Sequence, residues 1–518
     1  MVLLISLVGG SLGAVGWGAL AARLGRRRAL LSALAVNAVF AVIAAFMPTY
    51  GCFMMARFCS AIGSGGIVPT CYTYTGEVTS RACRPRALAA LVCAAGLGAL
   101  LAAALASAVL PPNGALTLIE NKEHFSAWHR YLLLCTLPIL ASLVSLIWTQ
   151  ESPRYLLEVG REVDAMVVYQ NLHSGNQIRI CGKANVAAAN NRAPAYHLGE
   201  LSLPGKRRPQ ASNHVKHSIK MFWQSFFQLF SSTYRRTTYT LGGVLLFSMV
   251  IQFYLSSYIP STVLRMENEL FGASKKVISN VSFQNDHYNR TLENIEYNYV
   301  TFTNCTFRDM LMSHVSFKNC SFFDVTFSNV KTSYTKFEGS LFVNSTIIDT
   351  DMEVGQELDE WCTLNGTTLR GMRPACNRHP DLTSRLDGIT TEQSYVSHAM
   401  LIASVLALLP QKARPQLALC IFLVLLSPAI YFARRESALY IVEAVYRVPL
   451  TLLFYTVGTN VVDSYPAGFR STAHGLLVSV SCAACALVRG AGVASAPLSA
   501  LLCGLFALFA TVLAFHAR

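Results

Sequence analysis

Eleven stretches of this sequence are long and apolar enough, or nearly so, to cross a bilayer: 2–21, 29–47, 52–74, 87–110, 131–149, 239–260, 395–410, 416–433, 438–462, 472–493 and 495–516. A helix needs about 20 such residues to traverse the hydrocarbon core, so the chain reads as a polytopic membrane protein. Composition agrees, with 53% hydrophobic and 14% charged residues over 518 positions. A net charge of +14 would suit a nucleic-acid partner, but the basic residues sit in short connectors between apolar runs. No basic patch with interleaved aromatics and no zinc spacing occurs. The partner implied is the lipid bilayer, and nucleic acid is excluded. Residues 1–20 carry no basic n-region and no cleavage site, so they read as a span rather than a removable signal.

Orientation follows from the placement of Lys and Arg. The connectors Arg23 to Arg28 and Arg81 to Arg86 are strongly basic and belong in the cytosol. Alternation then places 150–238 and 411–415 in the cytosol and 261–394 in a lumen or outside the cell. Every Asn-x-Ser/Thr sequon in the chain lies in that last segment, at Asn280, Asn289, Asn304, Asn319, Asn344 and Asn365. Only a loop exposed to the secretory lumen can be glycosylated. Arg434 and Arg435 fall on the luminal side and run against the scheme.

From Leu292 to Met352 the luminal segment has a period of five. Its centres are Leu292, Tyr297, Phe302, Phe307, Met312, Phe317, Phe322, Phe327, Thr332, Phe337, Phe342, Ile347 and Met352. Small or apolar residues precede them by two, as at Val300, Cys305, Cys320 and Val325. This resembles the pentapeptide-repeat family, whose chain winds a square right-handed β-helix with one five-residue unit per side. The resemblance implies that the centre and the residue two before it point inward, and that stacked coils share one core. In that phase Cys305 and Cys320 are core residues, and four of the sequons occupy the outward position two after a centre. Asp309, Asp324, Asp349 and Asp351 read as solvated outward residues. Cys362 and Cys376, beyond the repeat in an oxidising compartment, are a candidate disulfide.

The membrane half carries its own motifs. Gly18, Arg23, Gly25, Arg26 and Arg27 resemble the loop between the second and third helices of the major facilitator superfamily, with Ala22 where that family has an acid. Arg57, the glycine run Gly63, Gly65 and Gly66, then Pro69, Glu77 and Arg84 resemble the fourth helix of sugar-porter-like members. Glu151-Ser152-Pro153-Arg154 matches the signature after the sixth helix. Here Ser152 can cap a helix that has Pro153 in its first turn. Asp463, Pro466 and Arg470 echo the corresponding motif of the second half. Residues 161–215 lack apolar periodicity and include the basic run Lys206-Arg207-Arg208. Ile219, Phe222, Trp223, Phe226, Phe227 and Phe230 then form a stripe suited to a helix at the cytosolic membrane surface.

Facilitator helices, the Glu-Ser-Pro-Arg signature, and a glycosylated pentapeptide-repeat loop between the seventh and eighth helices occur in this order in the synaptic vesicle glycoprotein 2 family, which the chain resembles over nearly its whole length. The resemblance implies an all-α polytopic fold of the major facilitator class, about 11 spans here, with an inserted luminal pentapeptide-repeat β-helix. It divides the chain into an N-terminal helical half (1–149), a cytosolic loop with an interfacial helix (150–238), span seven (239–260), the luminal glycosylated domain (261–394) and a C-terminal helical half (395–518). The first helix of the family and its cytosolic N-terminal region are missing from this pattern, and Gly458 stands where an acid is expected. The implied function is a vesicle glycoprotein, possessing a transporter fold, that moves a small organic solute or sugar in connection with regulated secretion. The alternative is a vesicle receptor or scaffold that does not transport and acts through a protein partner at its luminal β-helix. Location in synaptic or secretory vesicles follows, with passage through the plasma membrane. Tyr72, Tyr74 and Asn460 are candidates for a solute site between the halves. No catalytic constellation, metal cluster or cofactor motif appears, so neither an enzyme nor a cofactor is expected.

Overall fold

In the computed structural model, residues 1–110, 127–180, 226–353, 355, 357–371, 386–409, 415–490 and 495–516 are described, apart from the side chains of 174–180, 386–389 and 489–490. The basic run at Lys206, the stripe before Phe226, Cys376, and residues 411–414 of the connector lie outside them. The chain divides into two compact units. One comprises Met1–Leu105, His129–Pro260 and Glu392–Arg518; the other comprises Ala106–Trp128 and Ser261–Thr391.

Apolar runs become helices because a membrane-embedded backbone must satisfy its own hydrogen bonds. In chain order these are α1 (Val2–Leu24), α2 (Arg26–Ala45), α3 (Tyr50–Val78), α4 (Arg84–Val109), α5 (Ala127–Ile147), α6 (Pro153–Glu158), α7 (Glu162–Ile180) and α8 (Arg235–Ala273). After the luminal strands come α9 (Leu386–Ala407), α10 (Pro415–Leu426), α11 (Ala429–Phe432), α12 (Glu436–Ser464), α13 (Ala467–Gly490) and α14 (Ala496–His516). Among the described residues, ten segments are long and apolar enough to cross a membrane, α10 and α11 counting together as one. The stretch at 395–410 is the exception. Its residues 395–407 lie in α9, which starts earlier and opens with polar residues.

Close contact between α1 and α3 is set by small residues. A Cβ on Gly13 would stand 2.0 Å from the Ile62 carbonyl oxygen, and one on Gly65 would stand 2.2 Å from that of Gly10. Only backbone-to-backbone packing permits such an approach, as is common where lipid supplies no hydrophobic drive. The segment after 161, which lacks apolar periodicity, is helical in its first part, α7. Its Ala165 and Val168 are buried against Tyr155 and Leu156 of α6, and Glu162 and Asp164 occupy its positively polarised first turn.

Among the described residues, seventeen short strands build the luminal solenoid: β1 (Lys276–Ser279), β2 (Ser282–Gln284), β3 (His287–Tyr288), β4 (Leu292–Glu293), β5 (Ile295–Asn298), β6 (Thr301–Thr303), β7 (Thr306–Arg308), β8 (Leu311–Ser313), β9 (Ser316–Lys318), β10 (Ser321–Phe323), β11 (Thr326–Ser328), β12 (Lys331–Ser333), β13 (Lys336–Glu338), β14 (Leu341–Val343), β15 (Thr346–Ile348), β16 (Thr363–Asn365) and β17 (Thr368–Arg370). They form four parallel sheets, ordered β1-β5-β9-β13, β2-β6-β10-β14-β16, β3-β7-β11-β15-β17 and β4-β8-β12. Four sides of five residues make a coil, and Thr301 therefore pairs with Ser321 and Ser321 with Leu341. The expected phase holds. Phe302, Phe307, Phe317, Phe322, Phe327, Phe337, Phe342 and Ile347 are at most 1% exposed, as are Val300, Cys305, Cys320 and Val325. Like centres stack along the axis, with ring centroids 5.1 Å apart for Phe302–Phe322 and 4.6 Å for Phe322–Phe342.

The solenoid is longer than the strict period suggests. At its start Ile278, Phe283 and Tyr288 face Tyr297, Phe302 and Phe307. At its end Leu364 and Leu369 face Phe342 and Ile347. A side shortened between Tyr288 and Leu292, and an enlarged one after Met352, break the spacing without breaking the sheets. The position two after each centre forms the corner. Its φ is positive at Asn304 (53°), Asp309 (49°), Asn319 (50°), Asp324 (54°), Asn329 (51°) and Asn344 (48°), with Gly339 (57°) in the same series. Asn, Asp and Gly tolerate this left-handed conformation best, so the asparagines of four sequons, Asn280 (56°), Asn304, Asn319 and Asn344, are also what the turn demands. Asn289, expected in that register, follows the inward Tyr288 by one because of the shortened side and is not a corner. Asp351 departs from expectation. Rather than lying free in solvent, its carboxylate accepts from the Thr332 amide (2.9 Å) and hydroxyl (3.0 Å), and burial raises its pKa. It thereby supplies acceptors beside β12, where that three-stranded sheet ends.

Candidate functional site

The turn between α1 and α2 is the seed of the site. Gly25 has φ 105° and no room for a Cβ, which would stand 2.4 Å from Glu151 Oε2. The tight turn lets the Arg27 amide donate to Glu151 Oε1 at 2.9 Å, and the Tyr155 hydroxyl donates to the Arg23 carbonyl at 2.6 Å. Arg26 is directed inward. Its Nη2 donates to Glu77 Oε1 at 3.0 Å and to the Ala467 carbonyl at 2.6 Å, and both side chains of the Arg26–Glu77 pair are fully buried. The guanidinium also lies over the Tyr155 ring, 5.0 Å from its centroid.

Glu77, near the end of α3, is shared. Its Oε2 accepts from the Ser152 hydroxyl at 2.5 Å, and its Oε1 lies 3.8 Å from Arg470 Nη1. Ser152 also caps α6 by accepting from the Tyr155 amide. Arg470 Nε donates to the Tyr465 carbonyl at 2.8 Å. Arg84 donates through Nε to the Gly76 carbonyl and through Nη1 to Asp463. Contacts from Arg26 to Ala467, from Glu77 to Arg470 and from Arg84 to Asp463 each join a helix of the first half to one of the second. Removing one partner of the fully buried Arg26–Glu77 pair strands a charge and costs about 3–5 kcal/mol.

Of the residues singled out from sequence, Gly25, Arg26, Arg27, Glu77, Arg84, Glu151, Asp463 and Arg470 meet in this cluster, with the Arg23 carbonyl beside them. Gly18 lies where α1 meets α13, and a Cβ there would be 2.7 Å from the Ser471 carbonyl oxygen. Arg154 is half-buried on α6 and acts on Arg470 as a like charge. Arg57 stands on α3 about 30 Å from Glu77 by the helical rise and joins no ion pair among the described residues. The cluster closes without an acid at Ala22, because Glu77 serves two arginines. Ser152 as a partner of Glu77, and Glu158, 4.0 Å from Arg26, are not evident from sequence, since both contacts depend on where α6 docks.

A cavity of about 380 Å³ lies in the same unit, among α3, α4, α8, α9 and α12. Tyr72 lines it. The Tyr74 hydroxyl instead donates to the Gln150 carbonyl at 2.6 Å, and Asn460 is exposed and outside the lining. Gly458 is filled from outside: a Cβ there would be 2.5 Å from the Tyr72 ring. Also on the lining is Arg447, which the sequence reading passed over. Glu443 and Arg447, one helical turn apart in an apolar span, were the available signal.

Helical halves joined by arginine contacts around the buried Glu77 carboxylate, with an apolar cavity in the same unit, define a membrane transporter fold of the facilitator class. The chain belongs to the sugar (and other) transporter family, whose model matches residues 1–271. The model of the SV2A/B/C luminal domain matches residues 271–367. Synaptic vesicle glycoprotein 2C of Rattus norvegicus is 28% identical over 59% of this chain and 44% of its own length. For synaptic vesicle glycoprotein 2A of the same species the figures are 30%, 56% and 40%. The matched region is thus less than half of either relative. In fold, the chain is similar to a double-tryptophan mutant of the transporter XylE, with TM-score 0.51 and 12% identity over 99% of this chain and 85% of that one.

Proposed function

We propose that the chain is an integral membrane protein of synaptic or secretory vesicles that carries a small organic solute by alternating access between its helical halves. The observation that carries this reading is the cluster around Glu77. It is a set of polar contacts, centred on the fully buried Arg26–Glu77 pair, that joins the two halves at the end of the helical unit where the basic connectors place the cytosol, as a gate requires. Opening that gate means separating Arg26 from Ala467, Arg470 from Glu77 and Arg84 from Asp463. Gly18, Arg23, Arg57 and Arg154 belong to the supporting packing and charge around it. Reconstituted chain should take up at least one member of a panel of sugars and small organic solutes, and Asp463→Asn should alter the rate. Absence of flux for the whole panel would sink the carrier reading.

A second reading, a luminal receptor or scaffold, is favoured by one observation. Trp361 is 81% exposed in the enlarged side of the solenoid, an unusual place for an indole unless something covers it. Crosslinking on intact vesicles that yields no partner at this face counts against it. The sequon asparagines are all exposed, and N-glycans on them would shift the mobility of the chain after enzymatic deglycosylation.

A further inference from the structure

Arg447 lies near the middle of the 29-residue helix α12, deep in the membrane-crossing part of the chain. Its side chain is 12% exposed, and its Nη2 lies 3.6 Å from Glu443 Oε1, an ion pair beyond hydrogen-bond length. Among the described residues no acceptor receives a hydrogen bond from this guanidinium. Guanidinium has five N–H donors, and leaving them without acceptors away from water is costly. Arg447 borders the cavity of about 380 Å³, whose other walls, Gln252 and Thr451 aside, are apolar or aromatic. A sugar would find few partners for its hydroxyls there, and any left unpaired would oppose binding. A single anionic group on an apolar body fits both the lone cation and the walls.

The carboxyl beside Arg447 completes the argument. Glu443 is 4% exposed, and its Oε2 receives no N–H or hydroxyl donor among the described residues. The group within hydrogen-bonding reach is another carboxyl, that of Glu392 on α9. Two carboxyls bond to one another only when a proton is held between them. No other charged group of the described residues acts on Glu443. The nearby titratable groups are Tyr440, stacked with Tyr395 of α9 at 6.1 Å, and Tyr446, facing Cys503 of α14. One proton on the carboxyl pair and the charge on Arg447 make the resting cluster neutral. An anion placed on Arg447 leaves one net negative charge in an apolar site, and a second proton on the pair cancels it.

We infer that this cavity binds an amphipathic organic monoanion, a carboxylate on an apolar or aromatic body, which docks on Arg447 and is accompanied by one proton taken up by the Glu392–Glu443 pair. The inference deepens the carrier reading, but its test is binding and not flux. Purified full-length chain is titrated with 4-phenylbutyrate and with its neutral amide, by calorimetry, at about pH 7.5 and about pH 5.5. The acid should bind at least about tenfold more tightly than the amide at the lower pH. Uptake of one proton per anion should tighten binding by about 100-fold across the two pH units. Arg447→Gln should remove the preference for the acid, and Arg447→Lys should keep part of it. Glu443→Gln should flatten the pH dependence. Equal affinity for acid and amide in the unaltered chain, which needs no variant to fold, would overturn the proposal, as would no binding of either. An affinity change under threefold between the two pH values would overturn its proton clause. Binding without flux leaves this inference standing and counts against the carrier; flux of neutral solutes without anion binding does the reverse.

Discussion

The helical unit and the luminal solenoid both bury polar groups, and they satisfy them by opposite means. In the solenoid the solution is periodic. Ser340 donates to the Phe317 carbonyl and Ser345 to that of Phe322, each one coil back, and Cys320 and Cys362 do the same to Tyr297 and Phe337. One rule thus serves every coil, and the loss of one member leaves the others in place. In the helical unit the solution is local and not periodic: at one end Glu77 answers two arginines and Ser152. Distributed satisfaction suits a rigid surface, and concentrated satisfaction suits a part that must open and close as a unit.

That contrast can be broken by experiment. Glu77→Ala should have the largest effect, toward the upper end of the ~3–5 kcal/mol expected when a buried pair loses one partner, because two arginines are left without their carboxylate. Thermal unfolding of the purified chain measures it, and a shift no larger than that of an exposed substitution would show that water enters the cluster. Phe322→Ala removes a ring stacked between Phe302 and Phe342 and should cost about 3–4 kcal/mol. The loss should appear as faster hydrogen exchange in the coils on either side, with the helical unit unchanged. If protection instead falls along the whole solenoid, its coils do not behave as independent neighbours.

Two smaller effects concern the solenoid alone. Tyr299 occupies a left-handed corner with φ 53° and is 64% exposed. Tyr299→Gly should relieve that conformation and stabilise the domain by about 0.5–1 kcal/mol, read from denaturant midpoints; destabilisation would mean that the ring has a partner. Glu296 is held by Lys275 and by Lys318 at 3.0 Å. Their hydrogen bonds lower its pKa from 4.5 to about 2. A depressed pKa contributes stability that is present above the unfolded value and lost as pH falls toward the folded one. Glu296→Gln should therefore weaken the first coil above about pH 4.5, by under ~1 kcal/mol because the lysines are largely exposed. Its difference from the unaltered chain should vanish as pH approaches about 2.

The membrane spans and the inward phase of the repeat were legible because each depends on a local period: about 20 apolar residues in one case, five in the other. The solenoid ends were not. A single shortened side between Tyr288 and Leu292 hides Ile278 and Phe283 from any strict count, while sheet pairing simply absorbs the change. The asparagine register had a second cause that composition could not separate, since glycan acceptors and left-handed corners call for the same residue. Most of the charged motif residues were visible individually. Their partners were not, because Arg26 and Glu77 are joined by the packing of α2 on α3 and not by any spacing along the chain.

By itself, then, the sequence determined where the chain is apolar enough to cross a membrane and which residues of the repeat form a common core. Those properties follow from solvation and from backbone periods that each residue expresses locally. Tertiary structure alone decided that Glu77 serves Arg26, Arg470 and Ser152 together, that Asp351 turns back to Thr332, and that Arg447 borders a cavity beside two carboxyls. Each of these joins residues far apart in the chain, and the strength of a buried charge contact depends on distance and on the exclusion of water, which only the folded packing sets.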